Sequence, residues 1–309
     1  MGPLPGRDVQ VSVTTPTARY GSAVDIPIRA IPQATKRHRV LQAFIDHTVL
    51  IVVAVIFMVP MFFILVTSFM TQEQALTSSL IPRPFNFRNY LDVFSEIPLI
   101  RYTWNTTQVA VLTTVGTIVS CVPVAYALAR MQWRGRQFAF VAVLATLMLP
   151  FQVTIVPLYI IFVRLDWINH LTPLILPSFF GDAFSIFLLR QFFMTIPEEL
   201  SDAARVDGAN EWQIMTRVIV PLAKPAIAAV ALFNFLFAWN DFFAPLLFVG
   251  NNPKLYTLAL GLAEFKQRYQ AQWNLTMAAS VLMMLPIIIL FFLAQKVFVE
   301  GVTLTGVKG

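Results

Sequence analysis

Residues 47–70 decide the fold, and they read HTVLIVVAVIFMVPMFFILVTSFM. The stretch contains no Asp, Glu, Lys or Arg. A helix needs about 20 mainly apolar residues to cross the hydrocarbon core of a bilayer, and this stretch is longer than that. It therefore predicts a membrane-spanning helix.

Five further apolar stretches of similar length predict five more spans. They lie at about residues 105–129, 138–161, 174–190, 226–249 and 276–296. The overall composition agrees, because 57% of the 309 residues are hydrophobic, 12% are charged and the mean hydropathy is +0.70. A soluble domain carries about 25% charged residues. We therefore predict an all-α polytopic membrane protein with six transmembrane helices, and we exclude a soluble globular enzyme.

Several kinds of site are excluded by the same reading. Cys121 is the only cysteine and lies in an apolar run, which excludes a disulfide scaffold and a Cys-ligated metal site. His38, His47 and His170 have no acid or Cys at ligand spacing, so we predict no metal site. The sequence also lacks a nucleophile with a matching base, so we predict no catalytic residue. The net charge of +6 comes from Lys and Arg between apolar segments, so we expect contact with membrane lipid and no nucleic-acid partner.

The positions of Lys and Arg predict the orientation of the spans. The short turn at 130–137 has three Arg and no acid, which is typical of a cytoplasmic loop. Both termini are then cytoplasmic. We predict a flexible cytoplasmic tail at 1–40, which lacks the apolar segment of a signal peptide, a six-helix permease domain at 41–300 and a cytoplasmic tail at 301–309.

The segment between the fourth and fifth spans is too long for a simple connection. Thr195 followed by Glu198, and Asn210 followed by Gln213, each predict a capping box at the start of a short helix. Gly208 predicts the end of the first of these helices, because glycine readily takes the left-handed conformation that ends a helix.

The first short helix of this segment, residues 195–225, has a small and smooth face. Helical spacing places Leu200, Ala203, Ala204 and Asp207 on one side. Such a face could slide into a groove of a partner protein. The same spacing also fits a surface helix that lies against the lipid headgroups.

The run DAARVDGA at residues 202–209, with IVP at 219–221 and Pro225, resembles the EAA loop of permease subunits of ABC importers, by which they contact the ATPase. Asp202 stands where that motif has its Glu, one methylene shorter and with the charge kept. The resemblance implies that six residues take part in coupling to the ATPase: Asp202, Ala203, Ala204, Asp207, Gly208 and Ala209.

The resemblance covers most of the chain from about residue 40 and is closest to the carbohydrate-type subfamily that includes the maltose permease pair, in particular its smaller six-span subunit. Other segments that agree are AYALAR at 125–130, FLLRQFF at 187–193, AWND at 238–241, YTLA at 256–259 and GVTLTGVKG at 301–309. The resemblance implies a type I ABC importer permease fold in the bacterial cytoplasmic (inner) membrane.

The same resemblance implies the partners and the mechanism. These partners are a homologous second permease subunit, two ATPase subunits and an extracytoplasmic solute-binding protein, and the mechanism is alternating access. The sequence has no Gly-x-x-x-x-Gly-Lys-Ser/Thr phosphate-binding loop. We therefore expect this chain to hold no cofactor, with ATP and Mg bound by the partner ATPase.

The fifth predicted span contains polar residues, which are costly in hydrocarbon and often functional there. Asn234, Asn240 and Asp241 can hydrogen-bond sugar hydroxyls, and Trp239 offers a flat face that can stack on a sugar ring. The four residues therefore predict a substrate pathway. They could equally bond to neighbouring helices or lie at the outer interface.

A sugar or oligosaccharide importer is the predicted function, and two alternatives stay open. A glycerol-3-phosphate or glycerophosphodiester permease should have an anion-binding Arg or Lys in a span, and none is evident in the six apolar cores. An ion-coupled secondary transporter would use Asp182 and Asp241 as carriers. It would be favoured by inverted repeats or broken helices, which the sequence does not clearly contain.

Overall fold

The computed structural model describes the backbone over more of the chain than the side chains. Backbone is described for residues 36–77, 80–268 and 272–306, and side chains for residues 42, 44–77, 80–268 and 272–292. The chain divides into two units between Ile56 and Phe57. Regular structure in the described residues is entirely helical, which confirms the predicted all-α class.

The helices follow one another along the whole described chain. They are α1 (Lys36–Thr67), α2 (Gln72–Ala75), α3 (Arg88–Glu96), α4 (Leu99–Ala129), α5 (Arg136–Thr146), α6 (Phe151–Arg164), α7 (Thr172–Ile175), α8 (Ala183–Thr195), α9 (Glu199–Val206), α10 (Glu211–Ile214), α11 (Val220–Leu222), α12 (Lys224–Asn240), α13 (Phe243–Val249), α14 (Leu258–Arg268) and α15 (Trp273–Gly306). Short 3₁₀ turns occupy Leu176–Phe180 and Pro253–Leu255, and a π-helical turn occupies Met215–Ile219.

Four segments in the described residues are long and apolar enough to cross a bilayer, and they are Phe44–Thr67, Leu99–Ala129, Thr172–Thr195 and Trp273–Phe292. Two bent helix pairs bring the number to six if each pair forms one span. The first pair is α5 with α6, and the second joins Glu211–Leu222 to α12. All six overlap the apolar stretches of the sequence, but the fifth, Glu211–Asn240, begins 15 residues before the predicted stretch at 226–249 and ends nine residues before its end.

The third span is not the continuous helix that we expected over 138–161. Helices α5 and α6 meet at an angle of 93°. Pro150 stands directly before α6 with an extended backbone. Proline has no N–H and disfavours helical backbone in the residue before it, so Pro150 favours a break here. Proline alone does not require one, because Pro60, Pro123 and Pro157 lie inside continuous helices.

The fifth span, expected over 226–249, is also interrupted. Its helix α12 ends at Asn240, the backbone is extended at Asp241, and the short helix α13 follows. At its other end α12 meets the preceding arm, Glu211–Leu222, at 79°. The 17 residues of α12 extend about 25 Å at 1.5 Å per residue, which is shorter than the hydrocarbon core of about 30 Å.

The long helix α4 is the centre of the packing, with α8 and α12 against it. The half of α4 near Ala129 packs Cys121 and Ala125 into one buried cluster with Leu189 and Phe193 of α8. The other half belongs to a second cluster, which includes residues of α12, α14 and α15. Helix α4 therefore contributes to both buried clusters, one near each of its ends.

The chain ends lie largely outside the described residues. Of the tail predicted at 1–40, residues 1–35 are not described, and residues 36–40 already belong to α1. At the other end α15 continues to Gly306, whereas we expected a tail from residue 301. Residues 307–309 lie outside the described part.

Candidate functional site

The segment between α8 and α12 contains the two short helices that the sequence predicts, α9 and α10. Gly208 has a φ of +82°, as expected of the residue that ends α9. Its N–H donates to the carbonyl of Arg205 at 3.0 Å, and the N–H of Ala209 donates to the carbonyl of Ala204 at 2.9 Å. These two bonds form a Schellman motif, which satisfies the last carbonyls of α9 and fixes the direction of the turn.

One of the two predicted capping boxes is present. Asn210 and Gln213 exchange side-chain and backbone bonds at 2.9 Å each at the start of α10. The box expected from Thr195 and Glu198 is wrong, because Thr195 is the last residue of α8 and Glu198 makes no side-chain cap bond. Pro197 lies between them, and it holds the residue before it in an extended conformation that separates α8 from α9.

The face predicted on α9 is divided between two environments. Ala204, together with Ala209 beyond the turn, packs against a buried cluster of this chain. Leu200, Ala203 and Asp207 are exposed. The small residues therefore serve partly to seat α9 on its own protein rather than to form one face for a partner.

Two exposed apolar side chains on either side of Gly208 escaped the sequence reading. Val206 is 88% exposed and Trp212 is 65% exposed. Neither belongs to the helical face that we singled out. The available signal was an apolar residue and a tryptophan within a run of charged and polar residues at a predicted turn.

A polar network joins α9, α10 and α4. The guanidinium of Arg205 donates to Asp202 Oδ1 at 2.7 Å and to Glu211 Oε1 at 3.0 Å, and the hydroxyl of Tyr126 donates to Glu211 Oε2 at 2.6 Å. The hydrogen bond from Tyr126, with the charge and hydrogen bond of Arg205, lowers the pKa of the Glu211 carboxyl. Sequence reasoning missed this network, because Tyr126 is far away along the chain.

Two arginines near the segment 195–225 donate hydrogen bonds to backbone carbonyls of neighbouring elements. Arg130 donates to the carbonyl of Ile196, which precedes α9. Arg190 donates from Nε to the carbonyl of Leu128 at 3.1 Å, and its guanidinium lies 3.9 Å from the ring centre of Phe140. The segment 195–225 and the turn after α4 therefore lie at the same end of the spans.

The structure does not bring the four predicted pathway residues into one group. Asn234 lies between three helices, where it accepts a hydrogen bond from Thr117 at 3.2 Å and donates to Ser185 at 3.0 Å. Thr117 and Ser185 are both buried. Asn234 thus links α12 to α4 and α8, which is the neighbour-binding role that the sequence left open.

Trp239 is buried and covered on one face. It is 2% exposed, and its ring stacks on Phe235 with 5.4 Å between centroids and 21° between planes. Its Nε1 is buried without a hydrogen-bond partner among the described residues. In this conformation the ring has no free face for a sugar, contrary to the expectation of stacking.

Asn240 and Asp241 lie at the break between α12 and α13. Asn240 is exposed and donates to the carbonyl of Leu236 at 2.7 Å. Asp241 Oδ1 accepts from the backbone N–H groups of Phe243 at 3.0 Å and Ala244 at 3.3 Å. Asp241 therefore caps the first turn of α13 and keeps its second carboxylate oxygen for other contacts.

Asp182 has the same local role at the start of α8, where its Oδ2 accepts from the N–H of Ser185 at 2.7 Å. Both acids that an ion-coupled transporter would use as carriers thus satisfy the amides of a helix start. No group of His, Cys, Asp and Glu in the described residues could hold a metal ion.

The chain is similar to known proteins over most of its length. Residues 121–304 match the family model described as binding-protein-dependent transport system inner membrane component. The chain is 33% identical over 263 residues to the arabinooligosaccharides transport system permease protein AraQ of Halalkalibacterium halodurans, which covers 83% of this chain and 93% of the relative. It is 34% identical over 278 residues to the sn-glycerol-3-phosphate transport system permease protein UgpE of Brucella abortus, covering 86% and 98%.

A similar fold is found in a solved structure. The crystal structure of a bacterial ABC transporter involved in the import of the acidic polysaccharide alginate contains a chain that matches with a TM-score of 0.72. The match covers 86% of this chain and 99% of the other chain, at 24% sequence identity. At that identity the likeness concerns the fold.

Proposed function

Since the chain belongs to the family of inner membrane components of binding-protein-dependent transport systems, we propose that it moves a sugar or oligosaccharide across the membrane by alternating access. It is a multi-pass membrane protein with the fold of the type I ABC importer permeases, and it is a transport subunit. Its family implies a partner permease, an ATPase and a solute-binding protein. In this proposal the second permease is homologous, and two ATPase copies bind all the ATP and Mg.

The observation that carries the proposal is the surface around Gly208. The Schellman bonds and the network of Arg205 hold this turn in one conformation, while Val206 and Trp212 extend apolar side chains into the surroundings. Exposed apolar groups beside a charged rim favour burial by a partner protein. We assign the ATPase contact to this surface, which comprises Asp202, Ala203, Val206, Asp207, Gly208 and Trp212. Ala204 and Ala209 support it from behind.

An ATPase that uses cellular ATP works on the cytoplasmic side, which sets the orientation that we propose. The bond from Arg130 to the carbonyl of Ile196 supports this orientation, because it joins the Arg-rich turn to the start of the segment that we assign to the ATPase, and Arg-rich turns are typical of the inside. With six spans, both chain termini are then cytoplasmic.

Our choice of a neutral sugar over an anionic solute depends on Arg190, a buried arginine within the apolar segment Thr172–Thr195. Arg190 is buried, and its guanidinium is already held by the Leu128 carbonyl and the Phe140 ring near the loop end of the spans. A phosphate-bearing solute would need a cation free to pair with it. We therefore favour the substrate class named for AraQ over the one named for UgpE.

Of the predicted pathway residues, Asn240 and Asp241 fit contact with the substrate best. They lie where α12 is interrupted, and their hydrogen bonds go to the local backbone rather than to another helix. Asn234 fits a position behind the pathway, where it joins three helices. We do not assign Trp239 a contact with sugar.

The test is uptake by cells that contain this chain with its partner subunits and no other transporter for the solutes. We expect ATP-dependent uptake of labelled arabino-oligosaccharides, and its loss when the ATPase subunits are deleted. Uptake that survives the deletion would support an ion-coupled carrier and contradict the ABC importer. Uptake of labelled glycerol-3-phosphate alone would contradict the assignment of a sugar.

A further inference from the structure

The turn that joins α4 to α5 concentrates positive charge without acids to neutralise it. Arg130, Arg134 and Arg136 lie close together, and the chain has no Asp or Glu between Glu96 and Asp166. Among the described side chains, no carboxylate forms an ion pair with any of these three arginines. The turn therefore carries a net positive charge that no carboxylate of the described residues neutralises through an ion pair.

The hydrogen bonds of these arginines orient them but do not neutralise them. Arg136 donates to the carbonyl of Met131 at 3.1 Å, and Arg130 donates to that of Ile196. Arg130 is buried, and its Nε has no hydrogen-bond partner among the described residues. Glu198 and Glu211 line another depression together with Arg130, and neither forms an ion pair with it.

A shallow depression of about 340 Å³ opens beside the turn, lined by Gln132, Trp133, Gly135, Arg136, Gln137 and Phe138. Trp133 and Phe138 are both exposed. The Nε1 of Trp133 donates to the carbonyl of Ala127 at 3.1 Å, which fixes the ring beside the end of α4. Exposed aromatic rings at the end of a span lie at the level of the lipid headgroups.

The start of α5 adds to the positive potential of the depression. Gly135 precedes α5 with a φ of +93°, and no side chain caps the helix. The amides of its first turn are therefore left without a side-chain acceptor, and a helix N-terminus attracts anions. This contribution supplements the arginines.

We propose that this turn binds the phosphate headgroup of an anionic phospholipid in the membrane leaflet that it faces. Arg136, which lines the depression, holds the phosphate, since guanidinium pairs with phosphate through two parallel hydrogen bonds. Arg134, two residues earlier and exposed, adds a second positive charge beside the depression. Trp133 and Phe138 pack against the glycerol and the upper part of the acyl chains. A lipid fits better than free phosphate, because the depression opens between apolar rings at the junction of two spans.

The test uses the full transporter complex in detergent, titrated with phosphatidylglycerol or with phosphatidylcholine and observed by native mass spectrometry. In Arg134→Gln/Arg136→Gln we expect phosphatidylglycerol to bind about 25-fold more weakly, at about fivefold for each basic residue near an anionic lipid. Phosphatidylcholine binding should not change. The matched control, Arg217→Gln/Lys224→Gln, removes the same charge from two exposed positions at the same end and should keep the wild-type affinity.

Several outcomes would overturn the proposal. An equal loss of phosphatidylglycerol affinity in the two double variants would indicate diffuse surface charge. Equal affinities of the wild type for phosphatidylglycerol and phosphatidylcholine would also contradict the proposal. Displacement of phosphatidylglycerol by inorganic phosphate at matched concentration would indicate a free-phosphate site instead. If the double variant does not assemble, Arg134→Gln alone changes an exposed side chain and should still give about a fivefold loss, whereas Arg134→Lys should bind nearly as well as the wild type.

Discussion

The turn at Gly208 and the break after Asn240 are both interruptions of helix, but their polar side chains form different kinds of bond. At the turn, Arg205 and Glu211 bond across three helices. At the break, Asn240 and Asp241 bond only to the backbone of their own or the next helix. Long-range bonds fix one helix against another, whereas local bonds only end a helix.

This difference suits the two places to different tasks. In the coupling that we propose, a movement of α9 would reach α4 through Glu211 and Tyr126, because each contact in that series involves a charged or short hydrogen bond. At the break, one local hydrogen bond contributes about 0.5–1.5 kcal/mol net. In the substrate pathway that we propose, such a bond would be exchanged for one to a sugar hydroxyl at little cost in free energy.

Replacing Gly208 should have the largest effect on transport. A Cβ at this position would meet no atom within 4 Å, so Gly208→Val changes only the backbone preference. Val resists a φ of +82°, with strain of about 1–3 kcal/mol, which corresponds to about 5- to 150-fold in the population of the native turn. We expect normal insertion, poor co-purification of the ATPase subunits and uptake reduced by a similar factor.

Gly208→Asn is the matched control, because Asn also adds a side chain but tolerates the left-handed conformation. It should retain most of the uptake. Similar losses in both variants would show that the surface of the turn, and not its backbone conformation, determines the contact. A second probe acts from behind this surface: Ala204→Asp places an unpaired charge against the buried cluster that supports α9 and should also weaken ATPase binding.

Substitutions of Asp241 can distinguish a role in capping α13 from a role in contacting the substrate. Asp241→Asn keeps a side-chain oxygen that can cap α13 but removes the charge, so the amount of assembled complex should stay near normal. If the carboxylate binds sugar, uptake should fall by about tenfold, the value of a lost charged hydrogen bond of about 1.5 kcal/mol.

Asp182→Asn makes the same change at the cap of α8 and should leave uptake near normal. Uptake kinetics and complex yield, measured together, distinguish the roles. Unchanged kinetics in Asp241→Asn and Asp241→Ala would remove Asp241 from the pathway. An equal loss in both Asn variants would instead favour a role in ion coupling.

The sequence was a good guide where local chemistry decides the structure. Apolar length predicted the spans, and the left-handed preference of glycine predicted the turn at Gly208. It was a poor guide at Pro150, where the apolar pattern continues across a break in the helix. It also missed the bond between Tyr126 and Glu211, because no local pattern relates two residues that meet only after α4 and α10 have packed.

The polar residues of the fifth span show a further limit. Residue type predicted that Asn234, Trp239 and Asp241 could bind a sugar, and each has the required chemistry. Their bonding partners depend on which neighbour lies closest in the fold. Thr117 and Ser185 engage Asn234, and Phe235 covers Trp239, so chemistry alone could not rank the candidates.

Tyr126→Phe tests the long-range network with the loss of one oxygen. The bond to the Glu211 carboxylate is short and charged, so we expect a loss of about 1–2 kcal/mol in stability and a few-fold lower uptake. Tyr90→Phe is the control, since it removes a neutral bond of 2.7 Å to Ser68 in a segment away from the network. Tyr90→Phe should lower the stability of the protein less than Tyr126→Phe does, and it should leave uptake near the wild-type value.

The pH dependence of the same variant has a defined sign. The Tyr126 bond lowers the pKa of Glu211, so its stabilising effect is complete above the ordinary Glu value and is lost as the pH falls through the folded-state pKa. The difference in thermal midpoint between wild type and Tyr126→Phe should therefore be largest near neutral pH and shrink in acid. A difference that does not change with pH would show that the bond does not depend on the charge of Glu211.

The smallest effect on transport is expected at Trp239, and it tests whether the buried ring belongs to the pathway at all. Trp239→Leu and Phe235→Leu each remove one ring of the same stacked pair, which should leave a cavity and cost about 2–4 kcal/mol. If the pair only packs, both variants should lower the yield of folded protein to a similar extent and leave the KM for the sugar unchanged. If Trp239 turns toward the substrate in another state of the transport cycle, its loss should raise KM while Phe235→Leu does not. That selective rise, measured in proteoliposomes at equal amounts of assembled complex, would return Trp239 to the pathway and show that the break rearranges beyond its local caps.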